Sequence, residues 1–264
     1  MNIDIIIKSF MRPTILRQCV ESVRRFYDHR IIVADDSTNF HNPLDGLNVE
    51  VCRLPYDVGL SAGRNYLVKQ VRSPLFLLLD SDFLLTDEHT IERLHEVLEE
   101  TNSTLTAGLL WDAGVDSPRS YYGHYSRQGP KTVINYYDPR RTHFEETKSG
   151  IRYCGCRFTE NFFLARTEDF LQYRIHWDES LKLMEHEDFF IRFPTKLRIS
   201  MTPDVHVRHL PSYENGGYDP AYSQFRYRQE FKRLAEQKHP YIEKHNTIFD
   251  WTQWNFPRIR SVLL

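Results

Sequence analysis

The stretch LFLLLDSDFLL, residues 75–85, decides how this chain is read. Leu75 to Leu79 form an apolar run too short for a helix and of the right length for a buried strand. Asp80 and Asp82 follow at once, one residue apart. A solvated turn is one reading of such a pair. The other is a clamp for a divalent ion where a buried strand runs out. The flanking sequence has to choose between them.

On the N-terminal side, strand and helix signals alternate. IDIIIKSF (3–10) is a short β-branched apolar run, and Pro13 follows at a first helical position. Ile15, Leu16, Cys19, Val20, Val23 and Phe26 then recur at helical spacing. RIIVADDS (30–37) predicts a second strand ending in acids, and VEVCRLP (49–55) a weaker third. GLSAGRNYLVKQV (59–71) predicts a helix with small residues at its start. After residue 85, Ile91, Leu94, Val97 and Leu98 share one face of a further helix. Such repetition implies an α/β fold: a Rossmann-like, mostly parallel central sheet with helices on both faces. Ligands of these sheets sit beyond the carboxyl ends of the strands. Asp35, Asp36, Asp80 and Asp82 all fall there.

Beyond residue 110 the signals change. Residues 111–160 are rich in Tyr, Arg, Gly and Pro without a clean period, and predict an irregular, substrate-facing loop. NFFLART (161–167) reads as a strand, TEDFLQY (167–173) as a short helix and LMEHEDFFIRFPTKL (183–197) as a helix until Pro194. DVHVRHL (204–210) is a last strand, and the basic, aromatic run 222–245 reads as one helix and a tail. The expectation is one domain over 1–264: a first half (1–110), a second half (111–230) with a smaller region of its own, and a C-terminal helix and tail (231–264).

Composition bounds the function. At 264 residues, 41% hydrophobic and 27% charged, the chain can bury one large core. A formal net charge of −2 gives no global argument for nucleic acid or an anionic membrane. No apolar run approaches the roughly 18 residues of a membrane span. The opening MNIDIIIKSF has no basic segment before its apolar stretch, so the expectation is no signal peptide and a cytoplasmic location, with peripheral membrane contact through FRYRQEFKR (225–233) as one option. Cys19, Cys52, Cys154 and Cys156 do not form a disulfide framework or a zinc spacing.

Two carboxylates about 4 Å apart repel by roughly 4 kcal/mol at an effective dielectric of 20, and would repel a diphosphate too. A divalent ion between them reverses the sign, because Mg²⁺ or Mn²⁺ is held by one or two carboxylates plus substrate phosphates. The acids of ADDS can accept from a base N–H or from ribose hydroxyls. Gly59, Ser61, Ala62 and Gly63 permit close backbone approach at a helix start, with Arg64 as a cation beside it. Each motif alone reads equally well as a cap, turn or structural ion pair; their joint order is the specific signal.

That order resembles the nucleotide-sugar-dependent glycosyltransferases of the GT-A fold, particularly the large family 2. FYDHRIIVADDS (26–37), AGRN (62–65), DSDF (80–83), NFFLART and HEDFF (186–190) are similar to segments of the β-1,4-N-acetylgalactosaminyltransferases that build ganglioside-type glycans. Compared with the animal enzymes, the expectation is a compact microbial or viral form without anchor and stem. The resemblance implies an inverting, metal-dependent transferase moving a sugar, GalNAc or GlcNAc, from a UDP-sugar to a glycan or glycolipid, with Mn²⁺ or Mg²⁺. It implies nucleotide binding by Ser9, Arg12, Asp35, Asp36, Gly63, Arg64, Asp80 and Ser81, with Asp36 on the uracil. It implies metal binding by Asp82, Asp80 and His209, with His206 the competing choice. Asp188 would be the general base, with Glu185 and Glu187 as neighbours and rivals. Trp177, Asp178 and Glu187 would shape the acceptor pocket. Phe162 and Phe163 read as core rather than as sugar platforms. Two other classes stay in view. A nucleotidyltransferase would carry a glycine-rich N-terminal phosphate loop, which IIIKSFMRP lacks. An inactive carbohydrate-binding relative is opposed by the intact acids.

Overall fold

The computed structural model describes residues 1–38, 43–112, 121–128, 131–138, 141–210, 220–226, 228–239 and 242–246. In chain order the elements are β1 (Ile3–Ser9), α1 (Pro13–Arg24), β2 (Arg30–Asp35), β3 (Val49–Arg53), α2 (Leu60–Gln70), β4 (Leu75–Asp80), β5 (Phe83–Leu85) and α3 (Thr90–Thr101). There follow β6 (Leu105–Asp112), β7 (Gly123–Gln128), β8 (Lys131–Tyr136), β9 (Glu145–Glu146), β10 (Arg152–Cys156), β11 (Phe163–Arg166), α4 (Thr167–Gln172) and α5 (Glu185–Arg192). The last are β12 (Ile199–His209), α6 (Pro220–Arg226), α7 (Gln229–Lys238) and β13 (Ile242–Asn246).

The large sheet runs β3-β2-β1-β4-β11-β6-β12-β10-β9, with β5 paired to β12. β1, β2, β3 and β4 are mutually parallel. β11 is antiparallel to both β4 and β6, which returns β6 and β12 to the direction of the first four strands. The mostly parallel α/β sheet is therefore as expected.

Alternation along the strands makes two cores, one on each face. Ile3, Ile5 and Ile7 of β1 join Leu16, Cys19, Val20, Ile91 and Leu94 on the α1/α3 face. Ile6 joins Leu67, Phe76, Phe170, Phe189 and Phe190 on the α2/α4/α5 face. Each such side chain contributes about 1.5–3 kcal/mol by leaving water. Phe162 and Phe163 are fully buried, one in each core.

Two expectations change. The 111–160 segment is not one irregular loop: within its described part, β7 and β8 form a hairpin that β13 joins in a separate three-stranded sheet, while β9 and β10 extend the large one. Its Tyr residues hide the alternation because they face the core, Tyr122 and Tyr136 among them. The basic C-terminal run is two helices rather than one, broken where Arg228 takes an extended conformation (φ −66°, ψ 112°) before α7. The predicted tail after 246, and residues 113–120 of the insertion, lie outside the described residues. Among the described residues no helix is long and apolar enough to cross a membrane.

Candidate active site

The parallel strands β1, β2 and β4 deliver Ser9, Asp35 and Asp80 to one edge of the sheet. β11 enters that edge from the other direction: its register pairs Phe163 with Leu78, so the segment before it approaches Asp80.

The clamp is assembled by strand register rather than by local sequence. Pro203 cannot donate to the ladder, and β12 shifts register between Met201 and His206. Beyond the shift, His209 stands opposite Asp112 on β6 and opposite Phe83 on β5. Asp82, the residue before β5, accepts the Leu210 N–H on its carbonyl at 2.8 Å. As a result His209 Nε2 lies 3.6 Å from Asp82 Oδ2, and His209 Nδ1 lies 2.6 Å from Asp112 Oδ1. His206 instead packs its ring on Trp111 at 5.1 Å between centroids, and does not join Asp82. Arg12 also reaches this point, donating to Asp82 Oδ2 at 2.8 Å and to Ser81 Oγ at 3.2 Å. Burial alone would raise the Asp82 carboxyl, but Arg12 and His209 hold it far below the usual carboxylate range.

These residues fit a divalent ion. Donor atoms 3.6 Å apart can both contact one cation at the roughly 2.1 Å typical of Mg²⁺. The carboxylate behind His209 sets its ring, as metal-bound histidines require. Among the described residues no set of three acidic, histidine or cysteine side chains closes a complete cage. An ion here would need substrate oxygens to complete its shell.

Next to the clamp, the nucleotide-side expectations divide. Asp80 Oδ1 accepts from Arg64 Nη2 at 2.6 Å, and Arg64 Nη1 donates to Glu185 Oε1 at 2.5 Å. Arg64 is fully buried, so its charge is used first inside the protein, binding α2 to β4 and α5. Asp36 is engaged likewise, by the buried Lys8 ammonium on Oδ1 and by the Gly59 N–H on Oδ2 at 3.0 Å. Asp35 accepts from Arg53 Nη1 at 2.6 Å and from the Ser37 N–H at 2.9 Å. The two acids of ADDS thus shape the loop through their partners. Gly63 makes room for Lys8, since a Cβ there would stand 2.2 Å from Lys8 Cδ. It is not a gap for a diphosphate. Gly59 is left-handed (φ +91°) and tight against Lys182, so this glycine is required twice over.

Helix α5 begins after Met184, a non-glycine residue at φ 61°. Such backbone strain persists only where surrounding structure enforces it. Asp188 is buried, and its oxygens accept from Arg192 Nε at 2.8 Å and His239 Nε2 at 2.9 Å. Burial would raise its pKa, yet these two hydrogen bonds bring it below the usual value. Trp177 is fully buried and stacks on Phe189 at 4.4 Å, 11° from parallel, with Asn65 bonding its backbone in both directions. It shapes the site from within the core. Asp178 lies outside, accepting from Lys238 Nζ at 2.7 Å. Glu187 is half-buried beside Tyr121.

Several polar atoms in this region are buried without a partner: Ser9 Oγ, Arg12 Nε, Arg64 Nε and Trp177 Nε1. Thr159 Oγ1, Asn161 Oδ1 and His186 Nε2 are in the same condition. Each orphan costs about 1–3 kcal/mol, and such atoms gather where a polar ligand would satisfy them. Sequence reading missed Lys8, Asp112, His186 and the Thr159–Asn161 segment. Lys8 and Asp112 each end or nearly end a buried strand, a signal that was present but unused. His186 and Thr159–Asn161 depend on tertiary packing and leave no local pattern.

The chain is 29% identical over 245 residues to beta-1,4 N-acetylgalactosaminyltransferase 1 of Homo sapiens, across 90% of this chain and 45% of that protein. It is 33% identical over 227 residues to beta-1,4 N-acetylgalactosaminyltransferase 2 of Mus musculus, across 78% of this chain and 39% of that protein. The chain therefore spans less than half the length of these relatives. Among solved structures, S. aureus TarS 1–349 in complex with UDP-GlcNAc superposes with a TM-score of 0.58 at 18% identity, covering 90% of this chain and 66% of that one. The UDP complex of the same protein gives 0.56 at 19% identity over 81% and 62%. These likenesses establish the fold as that of the GT-A glycosyltransferases. The family model described as glycosyl transferase family 2 matches residues 4–166, well over half the chain, and the chain belongs to that family.

Proposed function

We propose that this chain transfers a sugar from a UDP-sugar to a hydroxyl group of a glycan or glycolipid, with inversion at the anomeric carbon and with a divalent metal ion. GalNAc or GlcNAc is the sugar favoured by the names of the relatives and by the UDP-GlcNAc held by TarS. The observation that carries the reading is the approach of His209 to Asp82 at 3.6 Å, with Asp112 behind the histidine and Asp80 at the adjacent strand end.

Mn²⁺ or Mg²⁺ held by Asp82 and His209, with Asp80 at the adjacent strand end and substrate oxygens completing its shell, would supply positive charge against the leaving diphosphate. The protein's own residues do the rest. Arg12 and Ser81 face the same point and orient the phosphates, while Ser9 Oγ offers a buried hydroxyl there. Arg64 holds Asp80 in place. Helix α5 brings the acid–base groups to the acceptor side, tied to the donor side through Glu185 and Arg64. We propose a cytoplasmic location, with the acceptor at or near the membrane face.

Calorimetry of UDP binding with and without Mn²⁺, against CTP and ATP, tests the reading. Tighter UDP binding with metal is expected; preference for ATP or CTP would move the chain to the nucleotidyltransferase class.

A further inference from the structure

We infer that His186, on the first turn of α5, accepts the proton of the attacking hydroxyl, an assignment that rests on the UDP-sugar reading above.

Four ionisable side chains stand together on this turn: Glu185, His186, Glu187 and Asp188. Asp188 has both oxygens in ion pairs, with Arg192 on its own helix and His239 beyond α7. Glu185 is buried and held by Arg64 at 2.5 Å. Glu187 is only half-buried, and its charge acts on Tyr121. His186 differs from all three. Its ring is wedged against Tyr121 at 4.7 Å and Phe190 at 5.2 Å between centroids. One ring nitrogen donates to the Thr159 backbone carbonyl, and Nε2 is buried without a partner. The donating nitrogen is therefore Nδ1, and the tautomer is fixed with the lone pair on Nε2. That is the form a proton acceptor needs.

The surroundings favour a neutral base. Glu185 and Glu187 flank the ring on its own helix, Arg64 acts on it from α2, and Tyr121, itself under the charge of Glu160, packs against its other side. A carboxylate at position 186 would be a fourth negative charge on a turn that already carries Glu185, Glu187 and Asp188. A neutral imidazole adds none. Burial pushes the His186 pKa down, against Glu187 and Glu185, which push it up; Arg64 adds to the lowering. The ring is therefore uncharged at neutral pH. Thr159 Oγ1 and Asn161 Oδ1, buried and unpartnered on the segment that holds Nδ1, lie ready for the sugar hydroxyls.

The step balances as follows. The acceptor oxygen forms its bond to C1 while its proton passes to His186 Nε2. The bond from C1 to the β-phosphate oxygen breaks, and its electron pair leaves with UDP. The imidazolium then returns its proton to solvent.

The test uses the full chain with Mn²⁺ and UDP-GalNAc or UDP-GlcNAc, water serving as acceptor and UDP release as the signal. His186→Gln should lower kcat by about 10²–10⁴-fold, the usual weight of general base catalysis, with the Kd for UDP unchanged within threefold. Wild-type kcat should fall with acid along a limb that lies below the ordinary histidine value, and the variant should lose that limb. Added imidazole should restore part of the activity of His186→Ala. Asp188→Asn should keep the acidic limb. Retention of kcat within threefold in His186→Gln, or loss of the limb in Asp188→Asn alone, would overturn the assignment. So would a wild type that binds UDP with metal but releases none from either sugar. Should the wild type fail to bind UDP with metal at all, the donor reading falls first and the base assignment with it.

Discussion

Arg64 Nη2 lies 2.6 Å from Asp80 Oδ1, and the same guanidinium reaches Glu185 at 2.5 Å from a position with a side-chain exposure of 1%. One buried cation thus joins the end of β4, the start of α2 and the first turn of α5. Removing it leaves Glu185 buried and charged without compensation. Arg64→Ala should cost about 3–5 kcal/mol in denaturant unfolding, as breaking a buried pair does. Arg64→Lys should fall short of rescue because an ammonium cannot present the two-pronged donor. A lysine variant within 1 kcal/mol of wild type would show that charge alone suffices.

The clamp predicts graded effects. Asp82→Ala should abolish the gain in UDP affinity that Mn²⁺ provides, measured by calorimetry. Asp112→Asn touches no ligand, but it loosens His209, whose Nδ1 it holds at 2.6 Å. Its effect should be about 10–100-fold in metal affinity, the range for partners of metal-bound histidines. Unchanged metal dependence in Asp82→Ala would remove the clamp from the mechanism.

Space alone requires a glycine at position 63. A Cβ at Gly63 would meet Lys8 Cδ at 2.2 Å and Cε at 2.3 Å, on a side chain fixed by Asp36. Gly63→Ala should therefore destabilise by about 1–3 kcal/mol, the cost of overpacking. Gly155→Ala is the control, since nothing lies within 4 Å of its Cβ position, and it should stay within about 0.5 kcal/mol. Equal melting temperatures for the two variants would refute the packing account.

These contrasts show which parts of the molecule are written locally. β1, β2 and β4 are short apolar runs ending in acids, so the sheet and its functional edge can be read along the chain. The partner of Asp82 can also be named, because DVHVRHL is strand-like, although choosing His209 over His206 takes the register shift near Pro203. The partners of Asp36 and Arg64 cannot be read this way. Lys8 lies 28 residues from Asp36, and Glu185 lies 121 residues from Arg64. A buried ion pair over such separations leaves no periodic trace. The β7–β8 hairpin is hidden for another reason: Val133, Ile134 and Tyr136 are buried on β8 without strict alternation, and the tyrosines around them also suit an exposed loop.

The C-terminal helix offers a prediction in pH. α7 buries none of its residues, so charge rather than apolar area holds it. Arg228, just before it, donates to Asp57 at 2.7 and 2.9 Å; Lys238, at its end, donates to Asp178 at 2.7 Å; His239 reaches Asp188 at 2.9 Å. Burial would raise all three carboxyl pKa values, but hydrogen bonds bring each below its ordinary value: from Arg228 and Lys182 on Asp57, from Lys238 and Ser180 on Asp178, and from His239 and Arg192 on Asp188. A carboxyl with a folded pKa below its unfolded one stabilises fully above the unfolded value, about 3.9, and loses that contribution as pH falls toward the folded value. Amide exchange in α7 should thus quicken below about pH 4 before the central strands β1 and β4 lose protection. Asp57→Asn should already quicken it at pH 7 and flatten its acid dependence. If α7 stays as protected at pH 3 as at pH 7 in wild type, these three pairs do not hold it.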